Sequence, residues 1–97
     1  MNVGVCKVVL RIPENHDLKG KRRVINSLCS RIRNKFNVSI AEIDSQDSWQ
    51  RATLGFSHVS NSVRLSDEVI DRVVDYIEGS REDVELIECD RETITGF

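Results

Sequence analysis

Residues 38–44 and 51–59 each carry a strand pattern, and only a short polar loop lies between them. Two such patterns in immediate succession make an antiparallel hairpin. What flanks the hairpin narrows the fold further: a strand and then a helical pattern come before it, and a helical pattern and then a strand come after. The order β-α-β-β-α-β, with right-handed crossovers over one sheet, is that of the ferredoxin-like two-layer sandwich. This is an α+β fold of four antiparallel strands with two helices on one face, its first and third strands central.

From Val3 to Ile12, Cys6, Val8, Leu10 and Ile12 share one face at period two, with Val3, Val5, Lys7, Val9 and Arg11 on the other. Pro13 ends the strand and Asp17 is placed to cap a helix running from Leu18 to about Lys35. On that helix Leu18, Ile25, Leu28, Cys29, Ile32 and Phe36 form an apolar stripe. In Val38 to Asp44, Val38 and Ile40 share a face while Ile43 falls on the opposite one, which a bulge or a strand contacted on both sides would explain. Ala52, Leu54, Phe56 and His58 alternate inward along the next strand. Asn61 to Ser66 offers caps for a second helix, with Asp67 and Glu68 expected in its first turn and Gly79 at its C′ position. Val84 to Ile94 reads as the last strand, Val84 and Leu86 on one side and Ile87 and Cys89 on the other.

With 97 residues, the chain is long enough for one domain, residues 1–97, with a single core that needs no staples. No apolar run approaches the length of a membrane span. The start lacks a basic segment followed by an apolar one, so no secretory signal is expected. Cys6, Cys29 and Cys89 match no zinc or redox spacing and read as reduced thiols in a cytoplasmic protein. No cofactor or metal is implied. The net charge of −2 conceals a division: residues 1–58 carry ten Lys or Arg against five Asp or Glu, and residues 59–97 carry four against eleven.

The first helix holds most of the positive charge, in Lys19, Lys21, Arg22, Arg23, Arg31, Arg33 and Lys35, with no acid between Asp17 and Glu42. Lys19, Arg22, Arg23 and Arg33 gather on one flank and are the candidate phosphate contacts. Trp49, the only tryptophan, has two readings: a cap on the core beneath the hairpin loop, or an exposed anchor or base-stacking platform. Arg51 stands beside it as a second partner-binding candidate. Asp44 and Asp47 could pair as carboxylates, but aspartates in tight loops usually bond their own backbone. No phosphate loop, nucleophile elbow or histidine ligand spacing is present, and His16 and His58 lie far apart. The central strands lack the aromatic run of a sheet-surface RNA reader. Opposite the helices, Val3, Val5 and Val9 would present an apolar patch suited to a second copy.

Two motifs resemble the YlxP-like family of small bacterial proteins, a domain of unknown function. Ile12-Pro13-Glu14 with His16, followed by Leu18-Lys19-Gly20-Lys21-Arg22-Arg23-Val24-Ile25, is similar to that family's first-helix signature. Asn37-Val38-Ser39-Ile40-Ala41-Glu42 with Asp47 and Trp49-Gln50-Arg51-Ala52 is similar to its central motif. Ser45 and Ser48 depart from that motif, where a histidine and an apolar residue are expected. The resemblance implies a ferredoxin-like fold in the bacterial cytoplasm and a link to translation or ribosome maturation, and it carries over no catalytic residue. The expectation is therefore a non-catalytic binding module, associated with structured RNA or the ribosome through its basic first helix. The alternative is a homodimeric protein-interaction module with no nucleic-acid role. A small enzyme built on the residue 44–51 loop is the weaker third reading.

Overall fold

The computed structural model describes residues 1–80 and 84–97. Its elements follow the expected order: β1 (Asn2–Arg11), α1 (Leu18–Lys35), β2 (Ser39–Asp44), β3 (Arg51–Ser60), α2 (Val63–Ser80) and β4 (Glu85–Ile94). The strands form one antiparallel sheet in the order β2-β3-β1-β4, so β1 and β3 are central, as the ferredoxin-like topology requires. β1 and β3 pair without a slip from Asn2↔Ser60 to Arg11↔Arg51. That long register holds both ends of the sheet in a defined relation.

The helix-facing side of the sheet is apolar because alternate residues of β1 and β3 point there. Val8, Leu10, Ala52 and Leu54 are fully buried, with Phe56 almost so, and they meet Ile25, Leu28 and Ile32 of α1 and Ile70, Val73 and Ile77 of α2. Phe36 and Tyr76 close the seam between the helices, edge to face, with ring centres 5.8 Å apart. His58 also points inward, where its Nδ1 lies 2.8 Å from the Asn37 carbonyl.

Both outer strands carry a bulge. In β2 the register slips between Glu42 and Asp44, so that Asp44 takes the place opposite Thr53 and Ile43 is the extra residue, on the open face of the sheet with Ser39 and Ala41. There its side chain sits over Gly55, the one β3 position where a Cβ would crowd it. In β4 the slip falls opposite Val9 and Leu10, so Leu86 pairs with Leu10 and Cys89 with Val8 on the same, helix-facing side. The plain alternation expected for β4, with Leu86 and Cys89 on opposite faces, fails because Ile87 is the inserted residue.

The second helix also begins and ends differently from the sequence expectation. Ser62 caps it, accepting from Leu65 N at 3.3 Å through Oγ and from Ser66 N at 3.1 Å through its carbonyl. The helix starts at Val63, which places Asp67 and Glu68 in its second turn rather than its first. Gly79 lies within the helix, not at C′. Several polar residues ahead of the apolar arc were able to cap, and the earliest effective one prevailed.

The three cysteines are free. Cys6 and Cys29 are buried while Cys89 is exposed, although the sulfurs of Cys6 and Cys89 are only 3.7 Å apart. Burial pushes the Cys6 thiol up to about 12, with the Cys89 side chain adding to it, and burial raises Cys29 as well. Since the thiolate is the nucleophile, an alkylating reagent at neutral pH should label Cys89 alone in the native protein and all three in denaturant, counted by mass spectrometry.

Candidate functional site

The two motifs singled out in the sequence meet at one end of the molecule. The β1–α1 loop carries the first and the β2–β3 loop carries the second, and side chains stitch them together. Asn15 Nδ2 donates to the Trp49 carbonyl at 2.5 Å and to the Asp17 carbonyl at 2.6 Å. Gln50 Nε2 donates back to the carbonyls of Pro13 and Asn15, at 3.3 and 3.1 Å, and Ile12 N donates to the Gln50 carbonyl at 2.7 Å. Asp17 caps α1 as expected, its Oδ1 accepting from Gly20 N at 2.6 Å.

Beneath these loops sits a charge that the sequence reading misplaced. Lys21 was expected on the solvated basic face, yet it is 1% exposed. Its Nζ donates to the carbonyls of Ser45, Ser48 and Arg51 at 2.6, 2.9 and 2.9 Å, and it pairs with Glu42 Oε2 at 2.9 Å. One ammonium thereby satisfies three inward-turned carbonyls of a loop and compensates a half-buried carboxylate. An ammonium with only three N–H groups serves four oxygens here, so the site is dense in acceptors. Ser45 adopts φ 67°, in the left-handed region, which costs a serine about 1 kcal/mol and turns its carbonyl toward Lys21. Asp44 Oδ1 accepts from Ser45 N at 2.8 Å, the turn chemistry expected of it rather than a carboxylate pair with Asp47.

On this fixed base Trp49 projects outward, 56% exposed. The reading of Trp49 as a cap on the core is therefore overturned: Lys21 and its carbonyls occupy the space beneath the loop. Trp49 lines a polar cleft of about 440 Å³ with His16, Asp47, Ser48 and Gln50. His16 and Asp47 were not selected from the sequence as a pair. Their only signal was membership in the two motifs, which the fold brings together.

The basic helix divides in the same direction. Of its seven cations, Lys21 is buried, Lys35 lies 5.8 Å over the Tyr76 ring, Arg31 donates to the Ser27 carbonyl, and Arg33 donates to the Ile40 carbonyl at 2.7 Å. Lys19, Arg22 and Arg23 are exposed, and among the described residues no carboxylate holds them. These three project from the first two turns of α1, the end of the helix from which Lys21 reaches the β2–β3 loop. Arg33 is eleven residues further along, about 16 Å from Arg22 along the axis, so it does not join them. Arg51 is exposed at the start of β3, opposite Arg11, which is paired with Glu85 at 3.2 Å. Val3 and Val5 lie on the far, helix-free face of the sheet, but Val9, expected there as part of an exposed patch, is only 6% exposed between its strand neighbours Thr53 and Glu88.

Among the described residues no group of three potential metal-ligating side chains converges. No described helix is long and apolar enough to cross a membrane.

The molecule is thus an α+β sandwich whose two motif-bearing loops are tied together at one end, where Trp49 is exposed. A family model described as a protein of unknown function, DUF503, matches residues 3–91, and the chain belongs to that family. It is 38% identical to the Bacillus subtilis (strain 168) protein YlxP over 76 residues, covering 78% of this chain and 83% of that one. Among solved structures it is similar to the de novo designed protein Foldit4, with a TM-score of 0.55 over the whole of both chains. At 14% identity that likeness concerns the fold alone.

Proposed function

We propose that this protein is a non-catalytic RNA-binding module of the cytoplasm, acting on structured RNA such as that of the ribosome. The observation that carries the reading is the concentration of unpaired charge: four of the seven cations of α1 are engaged internally, and the three that remain stand at the end that also exposes Trp49. Arg22 and Arg23 offer forked donors to phosphate oxygens, and Lys19 adds a point charge. Trp49 offers a stacking face to an unpaired base, with His16 beside it in the same cleft to meet base edges. Arg51 and Arg33 stand outside this cluster and contribute less. The acidic residues of α2 and β4 leave the net charge slightly negative, so attraction to RNA is local and orients the molecule as it approaches.

A titration against ribosomal subunits and a structured RNA at two salt concentrations tests this. Three phosphate contacts predict that affinity falls about twentyfold to fortyfold for a fourfold rise in salt, the larger value for contacts on a duplex. Arg22→Ala/Arg23→Ala should remove most of that dependence, while Arg33→Ala should leave it nearly intact. Trp49→Ala should lower affinity by about 1–3 kcal/mol at either salt. Its exposed side chain makes its effect on stability small, within about 0.5 kcal/mol. A folded wild type that binds neither probe at low salt ends the proposal.

A further inference from the structure

The bulge in β4 decides which face of the sheet Cys89 occupies. Without the extra Ile87, the pairing of Leu86 with Leu10 would carry Cys89 opposite Lys7, on the helix-free face. With it, Cys89 lies opposite Val8 and shares the helix-facing side with Cys6, itself opposite Arg91. The two sulfurs stand 3.7 Å apart across the β1–β4 seam, close enough for one thiol to donate to the other. Their surroundings differ. Cys6 belongs to a central strand and is 4% exposed, whereas Cys89 belongs to an edge strand and is open to solvent. An accessible thiol with a second thiol lodged against it is the arrangement that a redox-responsive cysteine needs.

We propose that this strand pair is an oxidation site, at which hydrogen peroxide converts Cys6 and Cys89 into a reversible disulfide. In the first step the Cys89 sulfur attacks one peroxide oxygen. An S–O bond forms, the O–O bond breaks, and the thiol proton leaves with the second oxygen as water. The sulfur gives up two electrons and becomes a sulfenic acid. The Cys6 sulfur, already alongside, then attacks the Cys89 sulfur. The S–S bond forms, the S–O bond breaks, and hydroxide leaves as water with the Cys6 proton. Two thiols and one hydrogen peroxide thus give one disulfide and two waters. The order of the two sulfurs follows from their placement. Burial keeps the oxidant from Cys6 and pushes its thiol up to about 12, while Arg91 opposite it acts against that shift. Cys6 and Cys89 are diagonal neighbours rather than directly opposite ones, so the edge strand must move toward β1 as the bond closes. A bond closed under strain is readily reduced, which fits transient use where thiols are otherwise kept reduced. Lys19, Arg22, Arg23 and Trp49 take no part, so this site and RNA binding are independent.

Treating the native protein with hydrogen peroxide in slight excess, and reading intact mass, tests this. Wild type should become lighter by two hydrogens, and digestion without reductant should release a linked peptide pair holding Cys6 and Cys89. Dithiothreitol should restore the starting mass. Cys29→Ser should behave as wild type, and Cys89→Ser, changed at an exposed position, should form no bridge. Cys6→Ala should stop at the sulfenic acid, so that dimedone captures about tenfold more of Cys89 than in wild type. The peptide map and Cys89→Ser decide the matter even where Cys6→Ala fails to fold. A wild type whose thiols stay intact overturns the proposal. So does oxidation that halts at the sulfenic acid, joins Cys89 of two chains, or draws Cys29 into the bridge.

Discussion

Lys21→Met should be among the most damaging single substitutions in the chain, lowering stability by about 3–5 kcal/mol as read by urea unfolding. The side chains are of similar length and both are good helix formers, so neither helix propensity nor packing volume accounts for a loss of that size. What disappears is the ammonium. The carbonyls of Ser45, Ser48 and Arg51 lose their shared donor, and Glu42 keeps a half-buried carboxylate with no counter-charge. Each buried acceptor left unmade costs about 1–3 kcal/mol, reduced where the loop can relax and admit water. Lys21→Met/Glu42→Gln should recover the part that belongs to the uncompensated charge and leave the carbonyl part, so the pair is coupled. Lys21→Arg should not rescue, because a planar guanidinium cannot direct its donors at three carbonyls converging on one point. A loss below about 1 kcal/mol for Lys21→Met would show that the loop holds itself. Amide exchange in residues 45–51 should quicken in the variant while β1 stays protected, since the loop opens before the sheet does.

That prediction bears on the proposed function through the loop. Trp49 can present a stacking face at low entropic cost only if the backbone beneath it is already ordered. Lys21 from below and Asn15 and Gln50 from the side supply the order. A Lys21 variant should therefore bind RNA less well even where it remains folded, through Trp49 rather than through loss of a phosphate contact. Its salt dependence should match that of wild type, which separates it from Arg22→Ala/Arg23→Ala.

The element order was legible in the sequence because the hydrophobic period changes cleanly, from two to 3.6 and back, at Pro13, Asn37, Asn61 and Gly79 within a few residues. The topology followed from the order, and the inward faces of β1 and β3 from alternation. The bulge in β2 was only partly legible: Ile43 keeps the open face that plain alternation gives it, and the residue the slip moves is Asp44. The bulge in β4 was not, because Leu86, Ile87 and Cys89 can be assigned to faces in either register. Lys21 left a sign that went unread: on the helical wheel it falls between Leu28 and Ile32, inside the apolar stripe. A lysine there must either reach water along its stem or find acceptors inside, and only the tertiary structure shows that the hairpin loop supplies them. Of the two readings of Trp49 the core cap failed for the same reason, the space below it being taken by a residue counted elsewhere. Which of seven cations stay free depends on contacts with Ile40, Tyr76 and Ser27, none of which composition reports.

Gly4 shows a constraint of another kind, and Gly4→Val should lower stability by about 2–3 kcal/mol although valine is the better strand former. Gly4 lies on the helix-facing side of β1, paired with His58 and Thr93. A Cβ there would stand 2.7 Å from Ile70 Cδ1 and 3.3 Å from Ser66 Cβ, both on α2. Ile70 and Ser66 are fully buried, and Ser66 Oγ is bonded to Ser60 Oγ at 2.8 Å, so the start of α2 is pinned to the end of β3 and cannot lift freely. The glycine is what lets the helix lie this close to the sheet. If the loss comes from the Ile70 contact, shortening Ile70 should relieve it. Ile70→Ala alone should cost about 2–4 kcal/mol through its cavity. Gly4→Val/Ile70→Ala should then cost at least 1 kcal/mol less than the two losses added, because the new methyls occupy the space that the old one leaves. Strict additivity by urea unfolding would place the strain of Gly4→Val at Ser66 or in the strand itself, and would mean that α2 rides on β1 through the serine rather than the isoleucine.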